Sequence, residues 1–211
     1  MKKGRKLVGE VVKFYKIKDE IRILGIDDSP FNFHKDKRVM LIGTIFRGGS
    51  WLDGILKSEI KVDGTDATEK IIEMIRKTKH KDLRVIMLDG LTFGGFNLVD
   101  IEEIFKKTKL PVIVIIRQMP DFERIIAVLK EINKNKEDYE FRLKCIKKAG
   151  KPKKVETKKG KFIYIQYIGI KFEDAKEIVK LSSTRSLIPE PIRVAHLIAS
   201  GIVLGESRGG A

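Results

Sequence analysis

The stretch RILGIDDSPF (residues 22–31) runs from a β-like segment directly into two adjacent carboxylates. Its isoleucines and leucine favour a strand over residues 21–27. Asp28, Ser29 and Pro30 favour a turn, because short polar side chains cap the backbone and proline presets φ. The alternative is a metal-binding strand end, in which one carboxylate enters a site and the other caps the turn. The pair of acids alone does not distinguish these interpretations.

The segments around this stretch predict a mixed sheet. Two further β-like runs, at 38–46 and 55–63, follow at hairpin distance, so the first three strands are expected to form an antiparallel meander. A helix is predicted from Asp66, where Glu69 completes a capping-box pattern. Patterns of buried strands and helices then alternate, at residues 83–89, 97–108, 110–117 and 120–132. Such alternation predicts right-handed βαβ crossovers and a parallel half of the sheet.

Three antiparallel strands followed by βαβα form the mixed-sheet plan of ribonuclease H-like nucleases. We therefore predict an α/β fold of this kind, as a single domain over residues 1–211. The C-terminal third is expected to add one strand and three helices, at 161–170 and at 137–150, 171–183 and 189–204. Residues 147–161 hold eight lysines and one acid, which indicates a basic hairpin or loop.

Acidic residues end several of the predicted strands. Asp27 ends the first strand and Asp89 the fourth. In a sheet order 3-2-1-4-5 these strands are neighbours that point the same way, so Asp27 and Asp89 should lie side by side. Two such carboxylates repel unless a cation neutralises them, and Mg²⁺ or Mn²⁺ does so through oxygen ligands. Asp63 and Asp66 are alternative third ligands that can instead cap the helix, and Asp89 with Gly90 also fits a turn.

The charge balance of the chain favours a polyanionic partner. The chain has 44 Lys and Arg against 29 Asp and Glu, a net charge of +15, which points most simply to nucleic acid. Heat-adapted proteins share the Lys- and Glu-rich composition but keep the two signs near balance. The single Cys145 excludes a disulfide framework and a cysteine-rich zinc site, which favours a cytoplasmic location. No membrane partner is expected, since apolar runs such as LPVIVII are too short to span a bilayer.

Two segments outside the carboxylates are candidates for nucleic-acid contact. In FRGGSW, Arg47 offers a charged fork and Trp51 can stack on an unpaired base. The same segment also fits a hairpin turn beside a core tryptophan. Lys153 and Lys154 belong to the basic segment, which can track a phosphate backbone if it lies on the carboxylate face and is otherwise a solvated loop.

The segment LTFGGFN and the last helix carry further candidates. LTFGGFN can form a flexible pocket wall, or it can pack around a helix start capped by Asn97. His196, in the proline-led last helix, is either a partly buried helix residue or a site residue. Glu190 is either a fourth carboxylate or an acid that complements the helix dipole.

Six segments follow the pattern of a known family: LGIDDSPF, TIFRGGSWLDGIL, VDGTDATEKI, RVIMLDGLTFGGFNLVDI, LPVIVIIRQMPD and IPEPIRVAHLIASG. They resemble the signature blocks of endonuclease dU, a small, largely archaeal family related to endonuclease V. The blocks run from about residue 21 to 201, so the resemblance covers nearly the whole chain. Endonuclease V has the ribonuclease H-like fold and cuts DNA or RNA near deaminated bases, using Mg²⁺ held by carboxylates.

The resemblance implies a role for particular residues. The Gly-hydrophobic-Asp strand end of endonuclease V falls on Asp27 and its second strand-end acid on Asp89, as metal ligands. A lysine of endonuclease V aligns with Arg117 and a histidine after a proline with His196, which implies catalytic roles. LTFGGFN stands where endonuclease V has a histidine-containing part of its base pocket, and the wedge that separates the strands is not visible. The base recognised therefore does not carry over.

These observations lead to the expectation of a metal-dependent endonuclease that uses Mg²⁺ or Mn²⁺ and acts in the repair of deaminated bases, with DNA favoured over RNA. One alternative is a non-catalytic nucleic-acid-binding protein that keeps the fold and the basic surface. A second alternative is a metal-dependent phosphohydrolase of nucleotides, for which the basic segment would be superfluous.

Overall fold

A computed structural model describes residues 11–132 and 135–208. The first ten residues, with most of the basic start of the chain, lie outside these ranges. The described strands are β1 (Arg22–Asp28), β2 (Arg38–Arg47), β3 (Trp51–Lys61), β4 (Val85–Asp89), β5 (Thr92–Phe93), β6 (Asn97–Leu98), β7 (Val112–Ile116), β8 (Lys153–Lys158) and β9 (Lys161–Ile168). The described helices are α1 (Ala67–Lys77), α2 (Ile101–Thr108), α3 (Phe122–Ile132), α4 (Lys136–Ala149), α5 (Phe172–Ser182) and α6 (Glu190–Leu204).

Seven of these strands form one mixed sheet in the order β3-β2-β1-β4-β7-β9-β8. β1, β2 and β3 make an antiparallel meander, and β4 and β7 run parallel to β1. The prediction of a mixed α/β fold is confirmed. β3 starts at Trp51, earlier than the sequence indicated, because β2 and β3 close through a tight turn at 48–50 with a bulge beside Ile45.

The C-terminal hairpin adds two antiparallel strands to the parallel half of the sheet. β9 pairs with β7, and β8 forms the outer edge. The basic segment at 147–161 comprises the end of α4, the whole of β8 and the turn into β9. Because β9 runs opposite to β7 and begins beyond the pairing of Ile116 with Tyr164, the hairpin turn lies past the carboxyl end of β7.

The two faces of the sheet are buried under different helices. Leu24 and Ile26 pack in the core that contains residues of α1 and α2, whereas Ile23 packs with residues of α5 and α6. Successive side chains of a strand point to opposite faces. Asp27 therefore faces α6, and Asp28 faces the opposite side.

α6 rests directly on the backbone of the sheet at Gly25. A Cβ atom on Gly25 would lie 2.4 Å from the carbonyl carbon of Pro191, which is far inside van der Waals contact. The hydroxyl of Thr44, on β2, donates a hydrogen bond of 2.6 Å to the carbonyl oxygen of the same proline. Glycine at residue 25 thus lets the start of α6 approach closely enough to bring His196 over the end of β1.

The start of α1 differs from the predicted capping box. The carboxylate of Asp66 makes no cap hydrogen bond to the helix and instead accepts from the side-chain amide of Asn97 at 2.7 Å. The side-chain oxygen Oδ1 of Asn97 accepts from the backbone amide of Ala67 at 3.0 Å. The prediction that Asn97 begins a helix is wrong, because it lies in β6 while α2 starts at Ile101, behind its own cap Asp100.

Within 11–132 and 135–208, no helix is both long and apolar enough to cross a membrane.

The contact between Gly25 and Pro191 yields a stability prediction. Gly25→Ala is expected to lower the free energy of unfolding by about 3 kcal/mol, because the new methyl group must displace backbone of α6. Guanidinium unfolding measures the change. As a control in the same helix, Gly201→Ala places its methyl no closer than 3.9 Å to Ser207 and should stabilise the protein by about 0.5–1 kcal/mol, as alanine does in a helix interior. Similar losses in both variants would contradict this account of α6.

Candidate functional site

The carboxyl ends of β1 and β4 meet at one edge of the sheet and form a cleft of about 480 Å³. Ile26 pairs with Leu88 in the parallel ladder, so Asp27 and Asp89, the next residues on the two strands, are neighbours. Both carboxylates are largely buried, with side-chain exposures of 6% and 8%. The lining residues are Asp27, Asp28, Ser29, Pro30, Phe31, Asp89, Arg117 and His196.

Asp27 is held by two hydrogen bonds. Its Oδ2 lies 2.9 Å from Nδ1 of His196, on α6. Its Oδ1 accepts from the backbone amide of Asp28, also at 2.9 Å. The hydrogen bond with Asp27 raises the pKa of His196, because the carboxylate stabilises the imidazolium, while partial burial opposes this rise. His196 is therefore biased toward its protonated form by the candidate ligand itself.

Asp89 faces the guanidinium of Arg117, which follows β7. Nη1 donates to Oδ1 and Nη2 to Oδ2, each at 2.9 Å, which is the two-pronged geometry of a strong ion pair. Burial and the nearby charge of Asp27 raise the pKa of Asp89 to about 6, although Arg117 acts in the opposite direction. Burial, reinforced by the charge of Asp27, thus outweighs the ion pair in setting the pKa of Asp89.

Asp28 was expected to cap the turn that follows it, but its side chain bonds elsewhere. Its Oδ2 accepts from the backbone amide of Gly94 at 2.6 Å, in the loop between β5 and β6. The turn is tied instead by Ser29, whose hydroxyl accepts from the amide of Met40 at 3.2 Å. The reason is strand alternation, which points Asp28 away from α6 and toward the face where the β5–β6 loop lies. Burial raises the pKa of Asp28 to about 7, reinforced by the charge of Asp27.

The cleft is suited to a hard divalent cation that keeps open positions for water and phosphate, and not to a metal enclosed entirely by protein ligands. Among residues 11–132 and 135–208, no cluster of three or more His, Cys, Asp or Glu side chains is arranged to hold a metal. Mg²⁺ commonly takes one or two protein carboxylates and fills its remaining positions with water and substrate phosphate. Each carboxylate oxygen of Asp27 and Asp89 can accept two bonds, so both groups retain lone pairs for a cation. The raised pKa values of Asp28 and Asp89 also reflect negative charge that a cation would relieve.

Comparison with known proteins identifies the family. The model of the family described as endonuclease dU matches residues 19–203. The chain belongs to the endonuclease dU family. A relative from Methanothermobacter thermautotrophicus, named UPF0215 protein, is 56% identical over 199 residues, which cover 94% of this chain and 95% of the relative. A UPF0215 protein from Pyrococcus horikoshii is 44% identical and is covered to 97%.

Solved structures show the fold of this endonuclease dU family member. A protein of unknown function from Archaeoglobus fulgidus superposes with a TM-score of 0.76 at 39% identity, over 87% of this chain and 98% of that chain. Endonuclease V from Ciona intestinalis, in complex with DNA that contains an inosine followed by a ribo-adenosine, gives a TM-score of 0.54 at 16% identity, over 83% and 82% of the two chains. Endonuclease V from Bacillus subtilis gives 0.53 at 13% identity, over 82% and 77%. The fold is therefore that of endonuclease V, and the relationship is distant.

The two acids named as alternative third ligands lie outside the cleft of this endonuclease dU protein. Asp63 accepts from the amide of Phe96 at 2.7 Å, and Asp66 is bonded to Asn97. Both therefore hold the β5–β6 loop in place. Glu190, the candidate fourth carboxylate, is buried at the start of α6 in an ion pair with Arg193.

The nucleic-acid candidates lie at opposite ends of the sheet. Arg47 pairs with Arg22, at the start of β1, about 17 Å along the strand from Asp27 at 3.4 Å per residue. It forms an ion pair with Asp53 at 3.0 Å, and its guanidinium lies over the exposed ring of Trp51. Lys153, in contrast, lies on the cleft side of the sheet.

Lys153 shares a cross-strand row with Asp89. Asp89 pairs with Ile115, Ile115 with Ile165, and Ile165 with Lys153. Three strand spacings of about 4.8 Å place the lysine roughly 14 Å to the side of the cleft. Lys154, the next residue, is also exposed. The structure thus brings the basic strand to the carboxylate edge and leaves Arg47 and Trp51 at the far end.

The position of Asp28 in the wall of the cleft was not predicted from the sequence. The signal was present, because two consecutive strand residues must face opposite sides of the sheet. The position of the β5–β6 loop could not be predicted, because its two-residue strands have no recognisable periodicity.

The buried Asp28 yields a pH-dependent stability prediction. Its pKa rises from 3.8 to about 7 in the folded protein, so ionisation costs stability as pH rises from about 4 to 7. Asp28→Asn removes this cost and keeps an acceptor for Gly94. Without divalent cations, the variant should exceed the wild type in stability by roughly 2–4 kcal/mol at pH 8 and nearly equal it at pH 4.

Guanidinium unfolding at both pH values measures this difference. Asp82→Asn is the matched control, since it makes the same change on a side chain that is 63% exposed and should alter stability by no more than about 0.5 kcal/mol. An Asp28→Asn variant less stable than the wild type at pH 8 would show that the carboxylate stabilises the fold in its ionised form.

Proposed function

We propose that the protein is a divalent-metal-dependent endonuclease with a ribonuclease H-like fold that cuts nucleic acid beside deaminated bases, with DNA as the favoured substrate. The observation that carries the proposal is the pair of buried neighbouring carboxylates, Asp27 and Asp89, in a cleft that also holds Arg117 and His196. Membership of the endonuclease dU family and the shared fold of endonuclease V support it. The net charge of +15 is consistent with a polyanionic substrate.

Asp27 and Asp89 are the proposed ligands of Mg²⁺ or Mn²⁺. Such an ion, when bound, supplies Lewis acidity that lowers the pKa of water and stabilises charge on the reacting phosphate. The strand backbones hold the two carboxylates rigidly, since each is the last or next-to-last residue of a central strand. Asp28 adds negative charge on the other side of the same strand end.

Arg117 and His196 are proposed to act on the substrate. Arg117 keeps 44% of its side chain exposed while it contacts Asp89, so its outward N–H groups can bind a phosphate oxygen. In its protonated form, His196 donates a hydrogen bond from Nδ1–H to Asp27, and its Nε2 proton is the one that it gives to the departing oxygen. The raised pKa of His196 keeps this proton available at higher pH than for a free histidine.

The basic edge of the sheet is the proposed track for the phosphate backbone. Lys153, Lys154, Lys158, Lys159 and Lys161 are all exposed. The ammonium of Lys153 lies over the ring of Phe172 at 4.7 Å, and that of Lys154 over Phe162 at 3.9 Å. These ring contacts fix the lysine stems without neutralising their charge, so the positive edge remains available to phosphates.

A non-catalytic nucleic-acid-binding protein is the second candidate function. It is favoured by one observation, namely that Arg117 and His196 already provide cationic partners for Asp89 and Asp27. A cleft of this kind does not require a metal for its stability. The first candidate requires a divalent cation for cleavage, whereas the second binds nucleic acid without cleaving it.

Cleavage of labelled oligonucleotides tests the proposed function. Strands carrying uracil, hypoxanthine or no lesion are incubated with Mg²⁺, Mn²⁺ or EDTA. Wild type should cut a lesion-containing strand only with a divalent cation. Asp27→Asn and Asp89→Asn should reduce the rate at least about 100-fold, because each removes a ligand charge.

Asp82→Asn serves as the control, since it lies on the surface away from the cleft. Undiminished metal-dependent cutting by Asp27→Asn would refute the proposed ligands. Binding that survives Asp89→Asn, with no cutting by any preparation, would favour the second candidate.

The lysine track predicts a change in salt dependence. For duplex binding in EDTA, Lys153→Gln with Lys154→Gln should reduce the slope of log K against log salt by about 1.8, since each lost phosphate contact removes about 0.9. Lys77→Gln with Lys79→Gln, at the end of α1 near the start of β1, is the matched control and should leave the slope unchanged. Fluorescence anisotropy titrations between about 50 and 200 mM salt measure the slopes, because affinity for nucleic acid changes strongly over this range. Equal slopes for all three proteins would exclude the track.

A further inference from the structure

An aromatic ring stands exposed beside the carboxylate cleft. Phe33 keeps 61% of its surface exposed, although its neighbour Phe31 is partly buried against the core and lines the cleft. The two rings meet edge to face, with centroids 4.6 Å apart. One part of the Phe33 ring is thus braced by the cleft wall, while the rest faces solvent.

The backbone around Phe33 is fixed by its own side chains. The amide of Asn32 donates to the carboxylate of Asp36 at 2.7 Å, and the side-chain oxygen of Asn32 accepts from the amide of His34 at 2.9 Å. The carbonyl of Asn32 also accepts from the amide of Lys35. This closed turn fixes the backbone at residue 33, so the exposed position of the Phe33 ring is built into the loop.

A second loop fixes the ring relative to the metal-ligand candidates. A Cβ on Gly95 would lie 3.0 Å from the Phe33 ring, so the ring packs on bare backbone between β5 and β6. The preceding Gly94 donates its amide to Asp28. Phe33 and the carboxylates are therefore joined through one short loop, which Asp63 anchors by its bond to Phe96.

We propose that Phe33 is a stacking platform for an unpaired nucleobase of the strand whose phosphate lies in the carboxylate cleft. The inference rests on the proposed function for the position of that phosphate. The surroundings suit a nucleic-acid strand, because Lys35 and Lys37 are exposed on the same loop and provide positive charge beside the ring. A base in a duplex has both faces covered, so the platform selects a base that has left its stack.

Matched strands with and without bases test this platform. The probes are a dT 12-mer and a 12-mer of abasic tetrahydrofuran residues, which carry the same phosphates. Binding is measured in EDTA, so that no cleavage occurs. Phe33→Ala should weaken binding of the dT strand by about tenfold, the typical loss of one base stack, and leave binding of the abasic strand unchanged. Phe33→Trp should retain or strengthen the affinity for dT.

One control variant and one independent readout make the result specific. Tyr15→Ala removes a ring that is 99% exposed, in the segment that leads into the end of β1 away from Asp27, and should not change either affinity. Phe33→Trp combined with Trp51→Phe places the single tryptophan of the chain at the platform, where stacking on dT should quench its emission. A thermal melt of each variant confirms folding, which an exposed residue should not affect.

Equal losses on the two strands, a loss below twofold on dT, or tryptophan emission unchanged by saturating dT would each overturn the platform. The proposed function fails separately, by absence of metal-dependent cutting, because no binding measurement here depends on cleavage.

Discussion

The close contact between Gly25 and the carbonyl group of Pro191 positions the whole cleft. Because residue 25 has no side chain, α6 lies against the backbone of β1 and is locked there by the hydrogen bond from Thr44. Two residues further along β1, the same geometry brings Asp27 within 2.9 Å of His196. Close packing of α6 on the sheet thus sets the distance between the Asp27 carboxylate and the His196 imidazole.

The cleft concentrates negative charge at a buried edge and balances it from two directions. Arg117, directly after β7, pairs with Asp89, and His196 of α6 pairs with Asp27. Burial would make an uncompensated pair of carboxylates costly, so these cations stabilise the fold when no metal is present. Both cations remain partly exposed, which allows them to contact a phosphate as well. Under the proposed function, the same charges serve both the stability of the cleft and the binding of phosphate.

Regular elements with strong periodicity were predictable, and elements held by tertiary contacts were not. The strand from Val85 to Asp89 and the helix from Phe172 to Ser182 lie where their apolar patterns indicated. The strands β5 and β6 have two residues each and were assigned to a pocket wall or a helix start. Their geometry comes from Asp63, Asp66 and Asn97, whose hydrogen bonds join segments about 30 residues apart.

Local pattern was sufficient to identify Asp27 and Asp89 as neighbours, because strand order and parallel direction follow from alternation of elements, and strand ends are marked by the residues themselves. Three-dimensional packing decided the rest. It directed Asp28 to Gly94 rather than to its own turn, kept Asp63 and Asp66 away from the cleft, and left Phe33 exposed at its rim. Side-chain periodicity reports which face of an element is buried, but it carries no information about which distant loop covers that face.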